Sequence, residues 1–156
     1  MSLNLNLPDE AATLRFGAAL AAGTAPGRVL HLRGELGTGK TTLVRGLLGA
    51  LGHAGRVKSP TYTLVEVYTL SRLNFYHFDF YRLKDRSEWL GSGFREYFNP
   101  QSVCVVEWPE RVEGLPAPDL DISLEFLGEA RCASLHARSE AGRAWLSSAR
   151  QPLSSF

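Results

Sequence analysis

Residues 34–41 read Gly-Glu-Leu-Gly-Thr-Gly-Lys-Thr, which satisfies every fixed position of the pattern G-x-x-x-x-G-K-[ST]. Three glycines within residues 34–39 exclude a regular strand or helix at that point. The run follows a compact strand candidate, Arg28 to Leu32, and precedes Thr41 to Leu51, which reads as a helix stopped by Gly52. A strand, a glycine-rich turn and a helix in that order allow successive N–H groups to converge on phosphate oxygens at the helix N-terminus. Lys40 then adds a point charge near the β- and γ-phosphates. The Thr41 hydroxyl is placed to ligate Mg²⁺, a cation that keeps most of its shell as water and phosphate oxygen. A plain glycine-rich turn with a surface lysine would not need this strand-to-helix context.

The remaining elements fit one α/β domain. Leu3, Leu5 and Leu7 alternate with polar residues and predict a short half-buried strand before Pro8. Asp9 is positioned to cap a helix over Glu10 to Ala22, in which Leu14, Ala18 and Ala21 repeat at helical spacing before Gly23. Thr63 to Tyr68 and Leu73 to Tyr81 are rich in aromatic and β-branched residues, and Thr69 to Arg72 would turn them into a hairpin. Ser87 is placed to cap a short helical stretch through Trp89. Val103 to Val106 is a continuous apolar run of the kind covered on both faces. Leu120 to Phe126 and Arg131 to Ala137 alternate around Gly128-Glu129 as a second hairpin, and Glu140 to Arg150 is a terminal helix. These elements predict a three-layer P-loop domain over residues 1–150 with a mixed, mainly parallel central sheet, and a loose C-terminal tail over 151–156.

Hydrolysis of a nucleoside triphosphate also needs a carboxylate near the metal, at the end of a buried strand beside the loop. Glu107 ends the central apolar run and is assigned to Mg²⁺ through a bound water. Asp79 ends an aromatic strand and is assigned to orienting or deprotonating the attacking water. Spacing alone lets the two exchange roles, and Asp79 also suits a turn cap or a partner for Arg82. Ser59-Pro60-Thr61 occupies the stretch where phosphate-loop switch proteins carry a threonine that senses the γ-phosphate, and it equally suits a turn before a strand. His77, in an aromatic strand, reads as a packed histidine. Trp108-Pro109 is either a core lid or an exposed anchor for a partner.

Composition narrows the classes further. The 156 residues carry 17 Lys+Arg against 16 Asp+Glu, and a net charge of +1 is small for a protein that grips nucleic acid through phosphate contacts alone. Cys104 and Cys132 are far apart without metal-ligand neighbours, which predicts neither a disulfide framework nor a zinc site; both are expected in buried strand positions. The N-terminus lacks a basic stretch followed by an apolar one, and no apolar run approaches about 18 residues, so a cytoplasmic protein without a membrane association is expected.

Four segments in order, Gly-x-Leu-Gly-x-Gly-Lys-Thr (34–41), Ser-Pro-Thr-Tyr-Thr-Leu-Val-Glu (59–66), His-Phe-Asp-x-Tyr-Arg-Leu (77–83) and Val-Glu-Trp-Pro-Glu (106–110), resemble the TsaE family. These are bacterial ATPases that support threonylcarbamoyladenosine modification of tRNA. The resemblance runs from about Pro8 to Ala137. It implies that Leu36, Gly37, Thr38, Gly39, Lys40, Thr41 and Thr42 hold ATP, that Thr41 and Glu107 hold Mg²⁺, and that Thr61 belongs to the switch with a catalytic contribution beside Lys40 and Asp79. It further implies a functional Trp108, a nucleotide-side Glu10, and a basic residue of the last hairpin near the nucleotide, assigned to Arg131. Glu35 and Thr38 stand in place of the expected Asp and Ala at positions that vary in the loop pattern, and Phe80 replaces a common Leu. The family is said to act with a TsaD and TsaB pair, and contact with tRNA is then indirect. Three rivals share the loop: a small-molecule kinase, with Arg82, Arg86 and Arg95 as lid residues; a GTP switch, disfavoured by the missing Asn/Thr-Lys-x-Asp motif; and a nucleotide-binding scaffold without turnover.

Overall fold

In the computed structural model, which describes residues 1–60, 63–85 and 88–156, seven strands form one sheet in the order β1-β7-β6-β2-β5-β4-β3. The strands are β1 (Ser2–Leu7), β2 (Val29–Arg33), β3 (Val65–Thr69), β4 (Asn74–Asp79), β5 (Ser102–Glu107), β6 (Leu120–Leu127) and β7 (Ala130–Ala137). The middle of the sheet, β6-β2-β5-β4, is parallel, and β3 and β7-β1 extend it antiparallel on the two sides. Position explains sequence here: every residue of β5 is buried, whereas β3 at the edge is mostly half-exposed.

Three helices, α1 (Glu10–Leu20), α2 (Lys40–Ala50) and α3 (Glu140–Leu153), share one core with the sheet that includes Phe16, Leu43, Leu47, Val103, Val105 and Trp145. Residues of alternate parity on the same strands, Val29, Phe78, Cys104 and Val106, point to the opposite face. That face is covered by the segment after β4, through Phe80, Leu83 and Trp89, together with short 3-10 turns at Glu88–Gly91 and Phe94–Tyr97. Its aromatic rings stack closely, Tyr76 on Tyr97 at 4.5 Å and Phe78 on Phe98 at 5.3 Å. On the same face His31 is 5% exposed, and burial pushes its pKa down to about 4. Among the described residues no helix is long and apolar enough to cross a membrane.

Several local expectations shift. Asp9 caps α1 through its Oδ1, which accepts from Ala12 N at 2.8 Å, but the helix gives way to a 3-10 turn at Ala21–Gly23. The buried stripe of α1 is Ala12, Thr13, Phe16, Gly17, Ala19 and Leu20, with Leu14, Ala18 and Ala21 at its half-buried margin. The reason is the crossing with α2. A Cβ on Gly17 would lie 2.0 Å from Leu43 O, and one on Gly46 would lie 2.1 Å from Leu14 O, so the two helices meet backbone to backbone at glycines. Cys132 is half-buried on β7, unlike the fully buried Cys104, whose thiol burial pushes up to about 12. The terminal segment is no loose tail: α3 continues to Leu153, which is 3% exposed, and Phe156 packs edge-on to Phe16 at 6.2 Å. The expectation for Ser87 lies outside the described residues.

The glycine crossing makes a quantitative expectation. Gly17→Ala and Gly46→Ala should each destabilise the fold by about 1–3 kcal/mol or more through overpacking. Gly49→Ala, where a Cβ meets nothing within 4 Å, should be neutral or stabilising by about 0.5–1 kcal/mol. Urea denaturation of the three variants checks this, and equal effects at all three positions would contradict the close crossing.

Candidate functional site

The parallel register brings three strand ends into one row, because Leu32 pairs with Glu107 and Glu107 with Asp79. The ladder continues past the strands: Trp108 N donates to Leu32 O at 3.3 Å, and Phe80 N donates to Glu107 O at 3.1 Å. The chain leaves β2 at this row, turns through residues 34–39 and enters α2 at Lys40. Gly39 caps that helix at φ 105°, a left-handed conformation that only glycine adopts without strain. Gly34 lies at φ 150° and so close to the sheet that a Cβ would stand 2.6 Å from Leu124 O. No side chain caps α2, so its first N–H groups remain available as anion donors.

The sequence-predicted residues divide into two clefts on either side of this helix start. One, of about 260 Å³, is lined by Leu36, Gly37, Gly39, Lys40, Thr41 and Thr42 together with Ser59, Asp79, Glu107 and Trp108. The other, of about 200 Å³, is lined by Gly37, Thr38, Gly39 and Thr42 with Glu10 and Arg131, and adds Asp9, Thr13 and Glu129. Arg131 reaches the loop directly, its Nη2 donating to Gly37 O at 3.3 Å, while its guanidinium stacks 4.5 Å over Phe126. Glu10 pairs with Arg45 at 3.6 Å on an exposed surface. Thr38 is 1% exposed; its hydroxyl donates to Glu35 O at 2.9 Å and its N–H to the same oxygen at 3.3 Å. Leu36 is 57% exposed. Thr61 lies outside the described residues; Ser59 and Pro60 line a further cleft with Leu36, Asp79, Tyr81 and Arg82.

Charge is concentrated in the first cleft. Lys40 is 5% exposed, with its ammonium donating to Gly34 O and to Glu35 O at 3.1 Å and lying 4.5 Å from the centre of the Trp108 ring. Burial lowers its pKa below the ordinary 10.5, and the charges of Glu107 and Asp79 oppose that shift. Trp108 itself has φ 59°, an αL conformation that costs a bulky residue about 1–2 kcal/mol. Its ring lies 5.0 Å from Tyr81, and the Arg111 guanidinium lies 5.4 Å over it. A lid over Lys40 describes its packing better than an exposed anchor does.

The two carboxylates have different partners. Glu107, 3% exposed, accepts from Thr41 Oγ1 at 3.3 Å and from His77 Nε2 at 2.6 Å, both at Oε2. Asp79 accepts from Ser59 Oγ at 2.7 Å through Oδ2 and from Tyr81 N at 3.0 Å through Oδ1. It is therefore a turn cap and also a tether for the 59–60 segment; its bond partners are Ser59 and Tyr81, where pairing with Arg82 was the alternative. Thr41 and Glu107 form a hydroxyl–carboxylate pair suited to a hard divalent cation. Among the described residues no cluster of three or more His, Cys, Asp or Glu side chains forms a metal cage, so such a cation would draw its remaining ligands from phosphate and water. Sequence reasoning missed His77 as a partner of Glu107, and Asp9, Thr13 and Glu129 as cleft residues. The period-2 pattern of β4 puts His77 on the face of Asp79, but only the strand register reveals the contact.

The profile of the TsaE family, threonylcarbamoyl adenosine biosynthesis protein TsaE, matches residues 7–133. The tRNA threonylcarbamoyladenosine biosynthesis protein TsaE of Haemophilus influenzae is 44% identical over 148 residues, covering 91% of this chain and 94% of the relative. The protein of the same description from Bacillus subtilis is 44% identical over 123 residues, covering 78% of this chain and 75% of the relative. The crystal structure of YdiB from Bacillus subtilis superposes with a TM-score of 0.83 at 30% identity, over 97% of this chain and 95% of that one.

Lys40→Ala should weaken Mg-ATP binding about 10- to 100-fold, since charge-assisted contacts contribute about 1.5–3 kcal/mol each. Calorimetric titration reads this directly, and near-normal affinity in the variant would rule out residues 34–41 as the phosphate site.

Proposed function

The chain belongs to the TsaE family of threonylcarbamoyl adenosine biosynthesis proteins, and from that membership we propose that it is a Mg²⁺-dependent ATPase whose turnover supports this tRNA modification together with a TsaD/TsaB-type complex. The observation that carries the proposal is the convergence of an uncapped α2 N-terminus, Lys40 and the Thr41–Glu107 pair on one cleft, with Asp79 beside them.

In this reading the N–H groups of residues 37–41 and the Lys40 ammonium hold the triphosphate, for which Lys40 exchanges its Gly34 and Glu35 carbonyl partners. Thr41 and Glu107 would hold Mg²⁺, which would supply charge neutralisation to the phosphate oxygens. Arg131, Glu10 and the second cleft lie on the nucleoside side. Asp79 orients the attacking water. Ser59 Oγ and Tyr81 N each take one lone pair of an Asp79 oxygen, and the water would take another. Hydrolysis by the chain alone is slow, because among the described residues no arginine lines the first cleft to stabilise the developing charge. A partner docking on the exposed Leu36, beside Ser59 and over the half-buried Trp108, would draw the 59–60 segment away from Asp79 and exclude water from the cleft. Contact with tRNA is made through the partners.

The structural role of Asp79 as turn cap and tether also suits a second reading, a nucleotide-binding scaffold that does not turn over. A kinase is less well supported. Arg95 donates to Gly114 O and lines a cleft with Gly27 and Pro100, next to the starts of β2 and β5 rather than beside the phosphate loop. Arg86 lies outside the described residues.

Steady-state phosphate release with and without the purified partner pair separates these readings. Partner-stimulated release is expected, with Asp79→Asn lowering turnover by about 100-fold or more while ATP affinity stays within about 2-fold. No release under any condition would leave the scaffold.

A further inference from the structure

His77 is fully buried on β4, where its Nε2 lies 2.6 Å from Glu107 Oε2 and its Nδ1 has no hydrogen-bond partner among the described residues. Val105 is its register partner, so Glu107 is its diagonal neighbour on the face toward α2. An apolar ring would fill this place without stranding a ring nitrogen. The imidazole's one hydrogen bond is to the carboxylate that the proposed function assigns to Mg²⁺.

We propose that His77 is a positioning residue: its Nε2–H pins Glu107 Oε2 toward Thr41 and leaves Oε1 for the cation shell. Three observations carry this. Thr41 and His77 converge on the same oxygen, Oε2, and Oε1 has no hydrogen-bond partner among the described residues. Glu107 ends a strand that is buried throughout, so it has no bulk water to hold its orientation. The Lys40 ammonium is the competing attraction, and pairing the two would withdraw both from the phosphate side; instead Lys40 donates to the Gly34 and Glu35 carbonyls. A ring nitrogen that orients a cation-holding carboxylate has the same use as the outer hydrogen bonds that fix ligands in other metal sites. Donation to Glu107 selects the tautomer with hydrogen on Nε2, which leaves Nδ1 as a bare lone pair, in keeping with the absence of a partner there.

The proposal rests on the reading of Glu107 as a cation residue, and the experiment separates the two. Binding of a non-hydrolysable ATP analogue to the full chain is titrated at varied Mg²⁺ for wild type, Glu107→Gln, His77→Phe and His77→Gln. His77→Phe keeps a ring but no donor. It should raise the Mg²⁺ concentration for half-maximal binding roughly 10-fold, with affinity in the absence of Mg²⁺ within about 2-fold of wild type. His77→Gln, whose amide nitrogen reaches the Nε2 position, should recover most of the loss. A shifted Glu107→Gln with an unshifted His77→Phe overturns the proposal and leaves the cation reading intact. Two unshifted variants overturn both, and an equal loss of affinity with and without Mg²⁺ in His77→Phe reduces His77 to a packing residue. If His77→Phe does not fold, imidazole ¹⁵N spectra of the wild-type chain decide: hydrogen on Nε2 of His77 is expected, and a bare Nε2 overturns the proposal.

Discussion

The parallel pairing of β2, β5 and β4 sets Leu32, Glu107 and Asp79 side by side, and the chemistry of the cleft depends on that row. A slip of one residue in β5 would turn Glu107 to the opposite face, among Val29, Phe78 and Phe80, and place Val106 or Trp108 beside Thr41. The register is held by a strand buried on both faces and by the two ladder bonds beyond its end, to Leu32 O and from Phe80 N. With the row fixed, the loop that leaves β2 can start α2 only beside the two carboxylates.

The second support is the α1–α2 crossing. Gly17 and Gly46 let the helices approach until backbone meets backbone, which brings Thr13 within 3.3 Å of the place a Gly39 Cβ would occupy. The N-terminus of α1, with Asp9 and Glu10, is thereby fixed against the phosphate loop, and the β6–β7 hairpin closes the other side with Arg131 on Gly37 O. Two elements remote in sequence from residues 34–41 thus shape the second cleft. The opposite face of the sheet, closed by stacked aromatics rather than long helices, contributes rigidity and meets the first cleft at Trp108, which packs against it.

Much of this was legible from residues that obey local rules. The spacing of Gly34, Gly39, Lys40 and Thr41 implies its own backbone, and a buried run ending in Glu107 implies a carboxylate at the active edge. Asp9 behaves as a cap in sequence and in structure. What stayed hidden depends on distances between elements. The buried stripe of α1 is hidden in the sequence because Leu14 looks like core and Gly17 does not, although the glycine is what the crossing needs. The continuation of α3 past Arg150 is likewise hidden: Pro152 lacks a donor, yet in the last turn it only removes one bond, while Leu153 and Phe156 gain burial and an aromatic contact. His77 read as packing because the diagonal offset between β4 and β5 is absent from any one-dimensional pattern.

The most direct test is a crystal structure of the chain with a non-hydrolysable ATP analogue and Mn²⁺, whose anomalous scattering locates the cation independently of the phosphates. The expected peak lies about 2.0–2.3 Å from Thr41 Oγ1, with Glu107 bound to it directly or through one water, and with the phosphates on the N–H groups of residues 37–41. A cation bound without Thr41 and Glu107, or phosphates seated away from the α2 N-terminus, would contradict the assignment of this cleft.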